Sequence, residues 1–342
     1  MHTGARKTVF NYMSVKDDVL NILEENRGTY FSGEEIAKLL NVSRTAVWKA
    51  VKMLNNEGYG ISGINKLGYC MNGGDDVISA DGIQRYLPEA LKDKIEFQVL
   101  KKVTSTNTLL KQKAAEGEKE WYVLIAEEQT AGKGRMNRNF YSPSNSGIYM
   151  SILLRPDFNV SESLFITTMA AVAVAEGIEQ VFQTEAKIKW VNDIYCKGRK
   201  VCGVLTEAAV NVETARLDYA VLGIGINVKA PKEDFPDEIK KVAGSLVEKE
   251  SDGNITDNLR NRLISEIITK IYEYYLRLDR HEFMGKYKEK SLLIGKEVYI
   301  LSDEKKEGLF VLDIDDNAAL VVKHKDGRIG HISSGEVSVR IK

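Results

Sequence analysis

Apolar residues recur at helical spacing in three short blocks near the start of the chain. Val15–Asn26 sets Val19, Leu20, Ile22 and Leu23 on one face, the stripe of a helix packed on a core. Gly33–Leu40 opens on Ser32 with Glu35 three residues later, a capping box that satisfies two otherwise orphaned backbone N–H groups. Arg44–Glu57 follows a cap at Ser43, with Val47, Val51 and Leu54 as its buried stripe. Gly58–Ile61 and Gly68–Met71 then flank Asn65-Lys66, a β-hairpin signature, and Gly73-Gly74-Asp75-Asp76 is a polar break.

From about residue 80 to 270 the pattern alternates between periods of two and 3.6. It predicts strands at Phe97–Val103, Trp121–Glu127, Ile148–Leu154, Ile188–Tyr195, Val201–Glu207 and Tyr219–Val228, and helices at Thr106–Glu116, Ser161–Val181 and Thr256–Leu278. Turns as short as Lys197-Gly198-Arg199 favour an α+β unit with an antiparallel or mixed sheet over a doubly wound parallel one. After Tyr287 short strands follow at Glu297–Leu301, Gly308–Ile314, Ala318–Lys323, Arg328–His331 and Val337–Ile341, the pattern of a small β-barrel. The organisation expected is a tail at 1–14, a helical unit with a hairpin at 15–75, a central α/β unit at 80–285 and a small β unit at 290–342.

Composition narrows this picture without redrawing it. The 342 residues carry 48 Lys+Arg against 49 Asp+Glu, which argues against a protein coated in basic charge. Residues 1–70 alone carry nine basic against seven acidic side chains, so a small reader of nucleic acid fits inside a neutral whole. The longest apolar stretch, Leu164–Ala175, falls short of a bilayer span, and no membrane partner is expected. Three cysteines without a CxxC pair point to a reducing cytoplasm, and four scattered histidines give no zinc-hydrolase spacing.

Capped helix, tight Leu40-Asn41-Val42 turn, second capped helix and hairpin form the layout of a winged helix-turn-helix. Its second helix would present Ser43, Arg44, Thr45 and Trp48 to base edges, with Lys49, Lys52 and wing Lys66 near phosphates. A small helical protein-interaction domain is the plainer alternative.

Four segments carry candidate chemistry. Gln129-Thr130-Ala131-Gly132-Lys133-Gly134-Arg135 follows a strand; its glycines let the backbone approach an anion, and its cations attract one. It matches neither a Walker A loop nor GxGxxG, and a solvated surface turn reads equally well from spacing alone. Lys189-Trp190-Val191-Asn192-Asp193 reads as a polar strand, leading through Gly198-Arg199-Lys200 to Gly203 and Glu207; the alternative is a partly exposed edge strand. Gly223-Ile224-Gly225-Ile226-Asn227 lets a bulky group lie against a strand. Ser105-Thr106-Asn107 is either a helix cap or a set of ligand donors.

In this order the motifs resemble biotin protein ligases, and with the N-terminal winged helix the chain is similar to the bifunctional bacterial form that also represses the biotin operon. The resemblance runs from Val15 to Ile341. It implies an N-terminal winged helix-turn-helix, a central catalytic domain of biotin ligase type and a C-terminal SH3-like barrel. It also implies biotin and ATP as substrates with Mg2+, formation of biotinyl-5′-adenylate, and transfer of biotin to a lysine of a biotin carboxyl carrier protein of acetyl-CoA carboxylase or pyruvate carboxylase. Operator DNA and a second copy of the chain are the other partners implied.

By this resemblance Arg135, Lys200 and Asp193 are catalytic. Biotin would be held by Ser105, Thr106, Asn107, Gln129, Gly132, Lys133, Gly134, Arg135, Lys200 and Gly203, with strands on the Trp121 side completing the apolar cleft. The adenylate would meet Lys133, Arg135, Asn192, Lys200 and Asn227. No residue is a firm metal ligand, Mg2+ arriving with ATP. Three positions depart from the family pattern: Lys133 for Arg, Val191 for Pro and Asn137 for Gly. Two other activities share parts of this pattern: a ligand-sensing transcription factor without catalysis, and a lipoate or octanoate transferase.

Overall fold

The computed structural model describes residues 14–57, 59–71, 76–157, 162–211, 213, 216–248, 258–300, 308–333 and 339–341. The expected tail, save Ser14, therefore lies outside the described residues, as do most of the Gly73–Asp76 break, Ser161, Thr256, Leu301 and the first two residues of the Val337–Ile341 strand. The chain forms two compact units, residues 1–77 with 256–258, and residues 78–255 with 259–342.

In the first unit α1 (Val15–Glu25), α2 (Gly33–Leu40) and α3 (Arg44–Glu57) precede the hairpin of β1 (Ile61–Ile64) and β2 (Gly68–Met71). Both Ser14 with Asp17 and Ser32 with Glu35 form complete capping boxes. Asn41 ends α2 in the left-handed conformation, at φ +54°, and so turns the chain into α3. Val19, Leu23, Ile36, Val47, Leu54 and Met71 fill the core with almost no exposure. Each such side chain contributes about 1.5–3 kcal/mol relative to remaining in water, enough in sum to hold three short helices.

The second unit begins with α4 (Ala80–Tyr86) and α5 (Glu89–Lys92), then β3 (Glu96–Val103), α6 (Thr106–Ala115) and β4 (Tyr122–Gln129). Strand β5 (Gly147–Leu154), helix α7 (Ser163–Phe182), and strands β6 (Lys187–Lys189), β7 (Asp193–Cys196), β8 (Arg199–Asn211) and β9 (Arg216–Asn227) follow. They make one seven-stranded sheet in the order β3-β4-β5-β9-β8-β7-β6. Only β3 and β4 run parallel, joined by α6; every other pair is antiparallel, so the sheet is mixed.

The expected strand Ile188–Tyr195 is instead two strands. Lys189 pairs with Asp193 across a tight hairpin, so Trp190, Val191 and Asn192 occupy a turn rather than a strand interior. That removes the conflict between Asn192 and strand propensity. The Trp190–Val191 peptide is cis.

Helix α7 is apolar almost all round and packs on the sheet beside α9 (Leu259–Tyr275), which follows α8 (Asp237–Lys240). It spans 20 residues, and its most apolar 18-residue window has mean hydropathy 1.4, but 72% of that window is buried inside the fold. Its Glu176 binds Lys286 of α10 (Met284–Glu289) at 2.6 Å and Tyr274 Oη of α9 at 2.7 Å, tying three helices together.

Strands β10 (Glu297–Ile300), β11 (Gly308–Ile314), β12 (Leu320–Lys323), β13 (Ile329–Ile332) and β14 (Val339–Ile341) form an all-antiparallel sheet in the order β13-β12-β11-β10-β14. Its buried Val298, Val311, Ile314 and Leu320 join the same apolar core as the seven-stranded sheet. Two hydrogen bonds fix the β6–β7 turn from outside its own sheet: Trp190 Nε1 donates to Ala318 O at 2.8 Å, and Tyr287 Oη donates to Val191 O at 2.9 Å.

Candidate active site

A cleft opens over strands β5, β8 and β9, with ≈ 310 Å³ of unfilled space, mouth included. One end is polar. Ser105 caps α6, its hydroxyl accepting from Thr108 N at 3.4 Å. Thr106 donates its backbone N–H to Gln129 Oε1 at 2.8 Å, and Gln129 Nε2 donates to Ser142 Oγ at 3.0 Å. Ser105, Thr106, Asn107, Gln129, Lys133 and Gly203 all line this cleft, bringing together residues up to 98 positions apart.

The apolar wall comes from Phe140, Met150, Leu205 and Ile224, with Gly223 and Gly225 between them. The small residues of β9 are needed because other groups already lie on them: a Cβ on Gly225 would come within 2.6 Å of the Phe140 ring. Gly203 lies directly opposite Gly225 across β8 and β9, and a Cβ on it would come 3.6 Å from the same ring. Trp121 takes no part. It sits at the far end of β4, packed against Tyr272 and Tyr275 with ring centroids 4.7 and 5.3 Å away, while Gln129 at the other end of β4 and Met150 of β5 line the cleft.

The glycine-basic segment folds back on itself. Phe140 N donates to Gly132 O at 2.8 Å and Gly134 N to Arg138 O at 2.7 Å, with Arg135–Asn137 forming the tip. Met136 and Asn137 both take positive φ, +54° and +58°; Asn tolerates that conformation better than most side chains, which explains how it stands where glycine is common. Gly132 and Gly134 shape this loop without lining the cleft.

From the tip Arg135 reaches the β6–β7 turn and donates Nη1 to Asn192 Oδ1 at 3.1 Å. Asn192 is held in turn, its Nδ2 donating to Val204 O at 2.7 Å. Next to it Lys200 Nζ lies 2.5 Å from Asp193 Oδ1, and a Cβ on Gly203 would lie 3.6 Å from that ammonium. Burial lowers the Arg135 guanidinium from its ordinary value and the nearby Asp193 carboxylate opposes that shift; an arginine stays charged regardless. Arg135 and Lys200 thus share Asp193 as an acidic neighbour, and an anion beside them would balance the remaining positive charge. Asn227 does not line the cleft; its Nδ2 donates to Gly244 O at 3.0 Å.

Nucleophilic thiol chemistry finds no support here. Burial pushes Cys196 up to about 12 and Cys202 well above its ordinary value, so both remain protonated at neutral pH.

Comparison with known proteins fits this geometry. Residues 99–227, from β3 to the end of β9, match the biotin/lipoate A/B protein ligase family. The bifunctional ligase/repressor BirA of Bacillus spizizenii is 36% identical over 68% of this chain and 71% of its own length. This chain belongs to the biotin protein ligase family. The Escherichia coli bifunctional ligase/repressor BirA is 25% identical over 92% of this chain and 94% of that one. The biotin protein ligase of Aquifex aeolicus in complex with biotin and ATP superimposes with TM-score 0.59 at 30% identity, over 72% of this chain and 99% of that one. Residues 16–70 match an HTH domain and residues 293–340 the biotin protein ligase C-terminal domain, so the ligase core carries both flanking modules.

The HTH segment of this ligase presents the expected residues outward. Ser43 Oγ accepts from Ala46 N at 3.1 Å to start α3. Arg44, Thr45, Trp48, Lys49 and Lys52 are exposed along that helix, opposite buried Val47, Ala50 and Leu54. Lys52 Nζ lies 5.2 Å over the Trp48 ring, which keeps the indole on the outer face. Lys66 is in the wing turn at φ +72°. Sequence reasoning passed over Phe140, which lines the ligase cleft, and Ser142 and Ser151, which hold its lining residues Gln129 and Thr106. Their proximity depends on strand pairing, and no local motif in the chain announces it.

Proposed function

We propose that the protein joins biotin to ATP and then to a carrier-protein lysine, and that the biotinyl-adenylate form represses transcription. One observation carries this reading: the cleft has a neutral hydrogen-bonding end, and the Arg135–Asp193–Lys200 cluster, though not part of its lining, adjoins it at Gly203, where an added Cβ would lie 3.6 Å from Lys200 Nζ. Ser105, Thr106 and Gln129 suit a cyclic urea, which needs donors and acceptors but no counter-charge. The Phe140–Ile224 wall suits a fused ring and alkyl chain. Arg135 and Lys200 suit the far end, where a carboxylate attacks the α-phosphate of ATP and pyrophosphate leaves.

Bringing two anions together is the difficulty of that step, and fixed cations lower its barrier by stabilising charge as it develops. Asn192 holds Arg135 in place for this, and the final Arg of the loop then retains the adenylate. In the second step a lysine ε-amine attacks the mixed anhydride carbonyl, an amide forms and AMP leaves. Asp193 is placed to take the proton from that amine, or to meet Mg2+, which is bound through one or two carboxylates and substrate phosphates. Magnesium, when bound, screens the phosphate charge. Lys133 and Asn227 are assigned to the adenylate on family position.

Exposed Arg44, Thr45 and Trp48 would read bases in operator DNA, with Lys49, Lys52 and Lys66 on phosphates. A homodimer ordered by the adenylate, a cytoplasmic location and a carrier from acetyl-CoA or pyruvate carboxylase complete the proposal.

The test is incubation with labelled biotin, MgATP and a carrier domain, run in parallel with lipoate and octanoate. Labelling from biotin alone is expected; labelling from lipoate in its place overturns the substrate assignment. For repression, an electrophoretic shift on the regulatory DNA should require biotin plus ATP, and binding indifferent to both would remove the switch.

A further inference from the structure

Behind the polar end of the cleft lies an ion pair. Lys111, one turn beyond Asn107 on α6, places Nζ 2.5 Å from Glu207 Oε1 on β8. The second Glu207 oxygen accepts from Asn107 Nδ2 at 2.9 Å, and the same nitrogen lies 3.4 Å from Leu205 O. On the other side of the amide, Ser151 Oγ stands 2.6 Å from Asn107 Oδ1 and 2.7 Å from Thr106 Oγ1. Asn107 and Ser151 are buried. Strand β9 closes the site, since a Cβ on Gly223 would come within 2.2 Å of Asn107 Oδ1.

An amide has the same shape either way round, and its partners decide its orientation. Reversed, Asn107 would direct its oxygen at a carboxylate and at the Leu205 carbonyl, leaving three acceptors with no proton between them. Glu207 stays ionised to enforce this. Burial raises its carboxyl, but the bonds from Lys111 and Asn107 and the charges of Lys111 and Lys133 hold it below its ordinary value. Asn107 then offers its oxygen to Ser151, and Ser151 abuts Thr106, whose N–H and hydroxyl both donate to Gln129 Oε1 at 2.8 and 3.2 Å.

We propose that Lys111 and Glu207 are a positioning pair for the ring end of the cleft: they fix the Asn107 amide and, through Ser151, the orientation in which Thr106 and Gln129 meet a cyclic urea. This rests on the biotin reading above. The pair's hydrogen bonds run to the ring end and not to the Arg135–Lys200 cluster, so its effect falls on ring binding rather than turnover.

The experiment compares the full-length wild type with Glu207→Gln, Lys111→Met and Lys111→Arg in carrier labelling and in calorimetric titration with biotin. Glu207→Gln should raise the biotin Kd and KM about tenfold, the scale of one charge-assisted hydrogen bond, with kcat at saturating biotin and the KM for ATP within twofold. Lys111→Met should raise the biotin KM by a smaller factor, and Lys111→Arg should restore it. An unchanged biotin KM in Glu207→Gln, or a loss of kcat alone, overturns the proposal. Should Glu207→Gln not fold, the half-exposed Lys111→Met decides by the same criterion. A wild type that labels no carrier would instead defeat the biotin reading, before any variant is compared.

Discussion

Arg135 and Lys200 both stand beside Asp193, but the proposed chemistry gives them different tasks. Replacing Lys200 by Ala removes a cation from the site of phosphoryl attack and should cut adenylate formation by about 10²–10³-fold. Thermal melting should barely change, because the Lys200–Asp193 pair is only partly buried, with side-chain exposures of 31% and 23%. Arg135→Ala loses a charge-assisted contact worth about 1.5–3 kcal/mol, so the adenylate should dissociate roughly ten- to a hundredfold faster, read by filter retention of labelled adenylate. A full-rate Lys200→Ala enzyme would show that charge neutralisation does not set the rate. Spacing alone did not single these residues out, since the Arg135 loop reads equally well as a solvated turn; the order of the motifs along the chain, through the family resemblance, did. Phe140 escaped both, since an aromatic in a loop carries no mark of the paired glycines it covers.

At the scale of elements, local signals read well and non-local ones did not. The Ser32–Glu35 box and the left-handed Asn41 are written within a few residues, and the helices begin and end there. The β6–β7 hairpin was mistaken for one strand because its turn residues, Trp190 and Val191, are apolar and buried like strand residues. Glu176 shows how packing between elements creates an acid sensitivity invisible to periodicity. Burial raises its carboxyl, yet the hydrogen bonds from Lys286 and Tyr274 leave it net below its ordinary value. A depressed carboxyl stabilises the fold above its unfolded range, about 4.3, and that contribution disappears as pH falls through the folded value. Denaturant melts from pH 7 to pH 3 should therefore show Glu176→Gln losing stability against wild type near neutrality and converging with it in acid. A gap that stays constant with pH would contradict the role given to the ion pair.

For the whole molecule the near-equal totals of basic and acidic residues conceal a division of labour. The cations of α3 and the wing lie within residues 1–70, which carry nine basic against seven acidic side chains, while residues 71–342 carry 39 against 42. Under the DNA-binding proposal, Lys49→Ala and Lys52→Ala should each lower the slope of log affinity against log salt by about 0.9, with little change in sequence preference. A slope unchanged in both variants would take these lysines off the phosphates.

The bond from Trp190 Nε1 to Ala318 O joins residues 128 positions apart, one in the β6–β7 turn and one in the turn between β11 and β12. Family boundaries treat those two segments as separable pieces, yet the indole proton belongs to both. A chimera that grafts a foreign C-terminal module onto this ligase inherits a buried donor in search of a carbonyl. Asn192, two residues along the same turn, would then sit beside an unmet hydrogen bond. In such recombinations the inheritable unit is the module together with the loop that receives Trp190, and shuffling at the domain border alone separates partners that the fold keeps in register.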